Sequence, residues 1–364
     1  MSLARTIAVI QSAIERGMQF GLQIYVSRQG EVLLDTGFGI ARPDVPMTRD
    51  TIMPWLSAGK PLTAVAVLML VERGLLTLET RVTDVIPEFA AGGKHEIELR
   101  HLLTHTCGFR NAPLSWPNAE WNEMVATICS LPLEEGWVIG ETSGYHVASS
   151  WYVLGELVRR IDGRFLSEFL RSEVFLPLGM SDSWNGMPSD VWQSYGDRIG
   201  LMWNRDRGET RELEWHDARH CQACSPGANS RGPVRELGRF YEHLLAVDGF
   251  AGQRLLSPAM VAEMTSRQRV GRFDQTLQHS MDFGWGFMID SKHYGPKTVP
   301  YGFGARCSSR AFGHGGSQSS IAFADPLHGL VVAYVANVRP GEAWHQRRHR
   351  ELVDAIWDDL EVAC

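Results

Sequence analysis

The chain has 364 residues, enough for two or three domains or one large two-lobed enzyme and too many for a small disulfide-stapled module. Hydrophobic residues make up 44% and charged residues 21%, the balance of a globular chain with a sizeable core, which excludes global disorder. The net charge of -7 has the wrong sign for tracking a phosphate backbone or an anionic membrane surface, so no nucleic-acid partner is expected.

From Met1 to Gly21 the apolar positions Ile7, Ile10, Ile14 and Met18 follow helical spacing among Arg5, Glu15 and Arg16. This stretch has no apolar h-region or cleavage site, and the six cysteines are few and irregularly spaced. Both features lead to an expected cytoplasmic location. Leu22 to Ser27 and Glu31 to Thr36 are β-branched runs around Gly30, the pattern of a hairpin. A helix apolar all round, and therefore buried, is predicted from Gly59 to Glu79 with Gly74 near its close. Its apolar run from Pro61 to Val71 is shorter than the ~20 residues of a membrane span, so none is expected. Further helices are predicted at Arg100 to Thr104, Trp121 to Cys129, Ser150 to Ile161, Phe165 to Val174, Val234 to Val247 and Pro258 to Thr265. Strands return at Trp285 to Ile289, Ser320 to Ala324 and Leu330 to Asn337, before a closing helix from Glu342 to Leu360. The predicted fold is α/β of the α+β type: an antiparallel sheet built from both chain ends, flanked by helices, with a mostly helical inserted lobe. The expected division is 1–56 with 285–364 for the sheet lobe and 57–284 for the helical one.

Chemistry enters at Ser57-Ala58-Gly59-Lys60, where a loop meets the apolar helix and places Ser and Lys, at i and i+3, on one face of the first turn. A serine hydroxyl is inert at neutral pH until a neighbour takes its proton, and a buried lysine can do so when its charged form is disfavoured. The helix start adds N–H groups that favour an oxyanion. Alone, this four-residue pattern is weak. Three further stretches follow in order: Arg100-His101 through Cys107-Gly108; Tyr145-His146-Val147; and Phe312-Gly313-His314-Gly315-Gly316-Ser317.

With these the chain resembles the serine β-lactamase and penicillin-binding-protein superfamily, in particular the class C-like branch that also holds family VIII esterases and D-stereospecific peptidases. The resemblance covers about Gly21 to Asn337 and implies a single catalytic domain of β-lactamase type, 1–364. It implies that Ser57 is the acylated nucleophile, Lys60 its proton-transfer partner, and Tyr145 a proton shuttle whose pKa the lysine lowers. His314-Gly315-Gly316 stands where many members have Lys-Thr-Gly, on the strand along which substrate lies. The oxyanion hole would then be the N–H groups of Ser57 and Ser317. Two departures bear on substrate class: Val147 replaces an amide-holding Asn, and His314 replaces a fixed cation. Both disfavour strong β-lactam turnover. His314 suggests that carboxylate-bearing substrates are handled better as pH falls through the histidine pKa. The expected activity is that of an esterase-like serine hydrolase acting on a small-molecule ester, amide or lactam. D-amino-acid peptidase or amidase, weak β-lactamase and acyltransferase are the alternatives, and a catalytically silent binding module is the rival from another class.

Trp55, two residues before the nucleophile, with Trp116, Trp121 and Trp137, suggests an aromatic-lined acyl pocket. Cys107, where the family commonly has serine, reads as a packing change and His105 as a poor general base. His216, His220, Cys221 and Cys224 have zinc-like types and spacing but no support from the resemblance. No metal and no cofactor are expected. His345 and His349, among Gln346, Arg347, Arg348 and Arg350, read as a solvated basic face. Oligomeric state is left open.

Overall fold

The computed structural model describes residues 3–245 and 254–361. Met1, Ser2, Ala246 and Val247, parts of two predicted helices, lie outside the described residues.

Helix α1 (Ala4–Glu15) ends at Gly17, whose φ of +68° breaks the run. Strands β1 (Gly21–Arg28) and β2 (Glu31–Arg42) form the expected hairpin. Its two turn residues, Gln29 and Gly30, have φ of 53° and 81°, the positive values of a type I′ turn that matches strand twist. A short strand β3 (Val45–Pro46) follows. The rest of the sheet comes from the other end of the chain: β4 (Asp282–Phe283), β5 (Met288–Ile289), β6 (Phe312–Gly316), β7 (Ser320–Asp325) and β8 (Leu330–Ala336). The eight strands lie in the order β4-β5-β6-β7-β8-β1-β2-β3, antiparallel throughout. β1 pairs with β8 from Leu22 opposite Ala336 to Arg28 opposite Leu330, so the two ends of the chain meet mid-sheet.

Alternation along these strands assigns each face its own core. Leu22, Ile24, Val26, Val332 and Tyr334 meet Ile10 of α1 and Leu352, Val353, Ile356 and Trp357 of the closing helix α5 (Glu342–Asp359). Tyr25, Val331, Ala333 and Val335 face Leu237, Phe240 and Tyr241 of α4 (Val234–Leu245). Helix α2 (Lys60–Glu72) is buried on every side from Lys60 to Leu70 and lies against α3 (Ser149–Asp162). It stops earlier than its apolar text suggests. Gly74, at φ +71°, turns the chain so that Leu75 N–H returns to the Leu70 carbonyl at 3.0 Å.

The closing helix departs from its reading as a solvated basic face, because His345, Arg348 and His349 are all buried. Arg348 donates to the carbonyls of Val338 (3.1 Å) and Gln318 (2.8 Å) and to Gln19 Oε1 (3.2 Å). Burial lowers its pKa to about 10, so it stays charged at neutral pH. His349 Nδ1 meets the Tyr334 hydroxyl at 2.8 Å. The charge run of the sequence thus splits between two helix faces. Only Arg347 and Arg350 of its arginines are exposed. Among the described residues no helix is long and apolar enough to cross a membrane.

Candidate active site

Ser57 opens the helical lobe on a 3-10 turn, Leu56–Gly59, that runs directly into α2. In such a turn residues i and i+3 eclipse, which aligns Ser57 with Lys60. Leu56, just before the nucleophile position, has φ 51°, a costly value for a branched residue held by its surroundings. Strand β6 helps to hold it. A Cβ at Gly316 would lie 2.6 Å from the Trp55 carbonyl oxygen, so glycine is required where β6 meets this turn. Ser320 Oγ donates to that carbonyl at 2.6 Å.

Lys60 is fully buried, with Nζ 3.1 Å from Ser57 Oγ, 2.8 Å from the Val147 carbonyl and 2.7 Å from the Gly227 carbonyl. Burial, with no carboxylate beside it, pushes its pKa well below the ordinary lysine value. A neutral amine has two N–H donors and one lone pair. In its neutral form the amine gives both donors to the two carbonyls, which leaves its lone pair for the Ser57 proton. Gly227 permits this approach, since a Cβ there would lie 3.1 Å from Nζ. Neither carbonyl was legible in the sequence, because a backbone oxygen leaves no mark on residue identity.

Tyr145 is buried beside this pair, its ring centroid 5.1 Å from Lys60 Nζ, 4.7 Å from the His105 ring and 5.8 Å from the His314 ring. Its N–H donates to Asp274 Oδ1 at 2.9 Å. The expected lowering of its pKa meets an opposing cause. Burial raises it, and the hydrogen bond with Ser57 offsets this only in part. Tyr145 is therefore a neutral phenol, and Lys60 is the group pushed towards its basic form. His105 spends Nδ1 on the His146 N–H at 3.0 Å, and burial keeps it uncharged. Cys107 is buried with Sγ 3.2 Å from His146 Nε2.

His314 is also fully buried, with Nδ1 2.7 Å from the Gly315 carbonyl oxygen and Nε2 without a hydrogen-bond partner. Burial first, then the nearby Lys60, lowers its pKa to about 3. Both causes favour the neutral ring and so work against a switch in carboxylate handling through this histidine.

A cavity of about 480 Å³ opens over Ser57, with Tyr145, Val147, Leu277, Met288, Gly315 and Ser317 in its wall. That volume suits a small organic substrate. The tryptophans are elsewhere, contrary to the aromatic-pocket reading. Trp55 is fully buried with Nε1 donating to the Gly232 carbonyl at 3.0 Å. Trp121 donates to Glu156 (2.7 Å) and Trp137 to the Thr106 carbonyl (3.1 Å), while Trp116 stands edge-on to His220. Indoles with an interior N–H partner serve the core. His216, His220, Cys221 and Cys224 do not converge: His220 Nδ1 is 2.8 Å from Asp217 Oδ1, and Cys221 Sγ meets Arg231 Nη1 at 2.6 Å. Among the described residues no group of three or more His, Cys, Asp or Glu side chains is placed to hold a metal.

The family model described as Beta-lactamase matches residues 10–355. The chain belongs to the beta-lactamase family. Esterase EstB of Burkholderia gladioli is 29% identical over 313 residues, covering 78% of each protein. A penicillin-binding protein homologue from Caulobacter crescentus superposes with a TM-score of 0.80 at 28% identity, covering 98% of this chain and 97% of that one. A family VIII carboxylesterase gives 0.79 at 25% identity, with the same coverage. These relatives identify this family member as a serine hydrolase of the β-lactamase/transpeptidase-like fold.

Proposed function

We propose that this serine hydrolase cleaves small carboxylic esters through an acyl-enzyme on Ser57, as an esterase-like member of the class C-like branch. The observation that carries the reading is Lys60, its pKa pushed well below the ordinary lysine value by burial and its Nζ 3.1 Å from Ser57 Oγ at the base of the cavity. In acylation the Ser57 proton passes to Lys60 Nζ as Oγ bonds to the acyl carbon. The Tyr145 phenol gives its proton to the departing alkoxide, and the Lys60 ammonium restores it. Water then attacks the acyl carbon, its proton goes to Lys60, and Ser57 recovers a proton as the acid leaves. The N–H groups of Ser57 and Ser317 serve the oxyanion, with Gly316 keeping β6 close to the nucleophile turn.

Esters are favoured over lactams by the character of the wall. Val147 exposes an apolar side chain where an amide would hold the substrate, and His314 is neutral and buried where a cation would meet a carboxylate. The EstB likeness points the same way.

Intact mass spectrometry tests the reading. Wild type and Ser57→Ala are exposed briefly to nitrophenyl acetate and, separately, to a penicillin. An acetyl adduct or burst with the ester, absent in Ser57→Ala, is expected. Stronger acylation by the penicillin would replace the esterase reading with a lactamase one, and Ser57-independent product would refute it.

A further inference from the structure

The cavity above Ser57 is unevenly charged. Among its described lining residues are Ser57, Tyr145, His279, Tyr301, Ser317 and Glu342; the lining holds one carboxylate and one histidine, and no lysine or arginine. That carboxylate, Glu342, stands on the first turn of α5, where the helix N-terminus favours a negative charge. The Tyr301 hydroxyl donates to Glu342 Oε1 at 3.4 Å, which joins an aromatic ring and an anion in one corner. The ring is fixed by β6: a Cβ at Gly315 would lie 2.6 Å from Tyr301 Cγ, so the ring occupies the space above that glycine. Tyr301 also accepts from the Gln318 N–H at 3.2 Å. Two guanidinium groups come near from outside the wall: Arg110 Nη1 donates to Thr276 Oγ1 at 3.0 Å, and Arg339 Nη2 donates to Ser317 Oγ at 3.1 Å with its guanidinium over the Trp215 ring.

We infer that the corner formed by Tyr301 and Glu342 receives a cationic, ammonium-type group of the substrate, so that the preferred ester carries a positive charge in its acyl or alcohol part. An ammonium is attracted both by a ring face and by a carboxylate, and a quaternary ammonium loses little hydration in reaching them. A substrate carboxylate entering the same corner would meet Glu342. The inference rests on the ester-hydrolase reading and adds to it a substrate class and the two side chains that select it.

The test uses two matched pairs of esters on the whole protein. Butyrylthiocholine is compared with its carbon isostere, in which carbon replaces the ammonium nitrogen. The nitrophenyl ester of trimethylammonio-butyrate is compared with its own carbon isostere. The first pair places the charge in the leaving group and the second in the acyl group. At low salt, kcat/KM for the cationic member exceeds that of the isostere by roughly threefold to tenfold in at least one pair, a modest range because Glu342 is exposed and shares its field with Arg339. The ratio falls towards one in Glu342→Gln, and falls with added salt. Tyr301→Leu lowers it as well, while Tyr301→Phe, which keeps the ring, retains more of it. Isosteres hydrolysed in a Ser57-dependent way with no preference for charge would overturn the inference alone. So would a preference that survives Glu342→Gln, or a better rate for a matched carboxylate ester that is lost in Arg339→Gln. Absence of Ser57-dependent hydrolysis of all the probes would overturn the ester reading and the inference with it.

Discussion

Replacing Asp274 separates the stability of the fold from the alignment of the site. Asp274 is fully buried; its Oδ1 accepts the N–H groups of Tyr145, Thr276 and Leu277, each at 2.9 Å, and its Oδ2 takes Arg269 Nη2 at 3.0 Å. One carboxylate thus ties Tyr145 to the loop that walls the cavity. Asp274→Ala strands the Arg269 charge, a loss of about 3–5 kcal/mol for a broken buried pair. The three N–H groups add at least about 1 kcal/mol each. A total near 6 kcal/mol or more is comparable with the whole stability of a typical domain, about 5–15 kcal/mol, so Asp274→Ala is expected not to accumulate as folded protein. Asp274→Asn is the informative variant. It keeps an oxygen for the three N–H groups but turns an NH2 towards Arg269, and should cost about 3 kcal/mol while remaining folded. Loosening Tyr145 by a fraction of an ångström should then lower kcat on nitrophenyl acetate by about tenfold to a hundredfold. Asp282→Asn is the control, since Asp282 is equally buried and pairs with Arg267 at 2.7 Å but touches neither Tyr145 nor the nucleophile turn. It should lower the melting temperature and spare kcat. The reasoning fails if Asp274→Asn keeps wild-type melting and kcat, or if Asp282→Asn loses kcat to the same degree.

Lys60→Met keeps length and apolar bulk but removes the lone pair, and should reduce kcat/KM by about a hundredfold to ten-thousandfold, read by steady-state ester hydrolysis. Burial lowers the Lys60 pKa, so the basic form is lost as pH falls through that lowered value; kcat/KM should rise with pH along one acid limb. That limb should keep its midpoint in His314→Gln, since burial lowers the His314 pKa to about 3; a midpoint that moves would assign the limb to His314. Gly315→Thr should collide with the Tyr301 ring and raise KM by about tenfold, and adding Tyr301→Ala should recover most of the loss, as a double-mutant cycle would show.

Much of the fold was legible because the sequence signals were local. The hairpin at Gly30 and the all-apolar α2 announce themselves through β-branched runs and a missing polar face. Strand β6 was invisible to periodicity, since Phe312-Gly313-His314-Gly315-Gly316 has three glycines and little β-propensity, and only the family resemblance pointed to it. Its glycines are there for contact: Gly315 admits the Tyr301 ring and Gly316 the Trp55 carbonyl. The hairpin of Met202–Asp206 with Glu209–Leu213 was missed because its second strand is polar and largely exposed, without an apolar alternation to read. At the site, Ser57, Lys60 and Tyr145 come together as side chains of a recognisable order. Asp274, Tyr301 and Glu342 reach it from a two-residue strand, a turn and a helix more than a hundred residues downstream, with no motif of their own.

Burial gives these parts one physical theme. Lys60, His105, His146 and His314 are all shifted towards their neutral forms by loss of solvent, and Tyr145 is held as an uncharged phenol by the same cause. Among the described residues, burial thus disfavours a fixed cation at the floor of the cavity with which to hold an anionic substrate group. In the proposed mechanism proton transfer there runs between neutral partners, with charge created only as the reaction proceeds, and backbone dipoles are left to meet the oxyanion. An ester, whose alkoxide is a fair leaving group, asks less of the Tyr145 proton than an amide, whose nitrogen must be protonated before it departs. Charge selectivity is then left to the rim, where Glu342 is in contact with solvent and with whatever enters first.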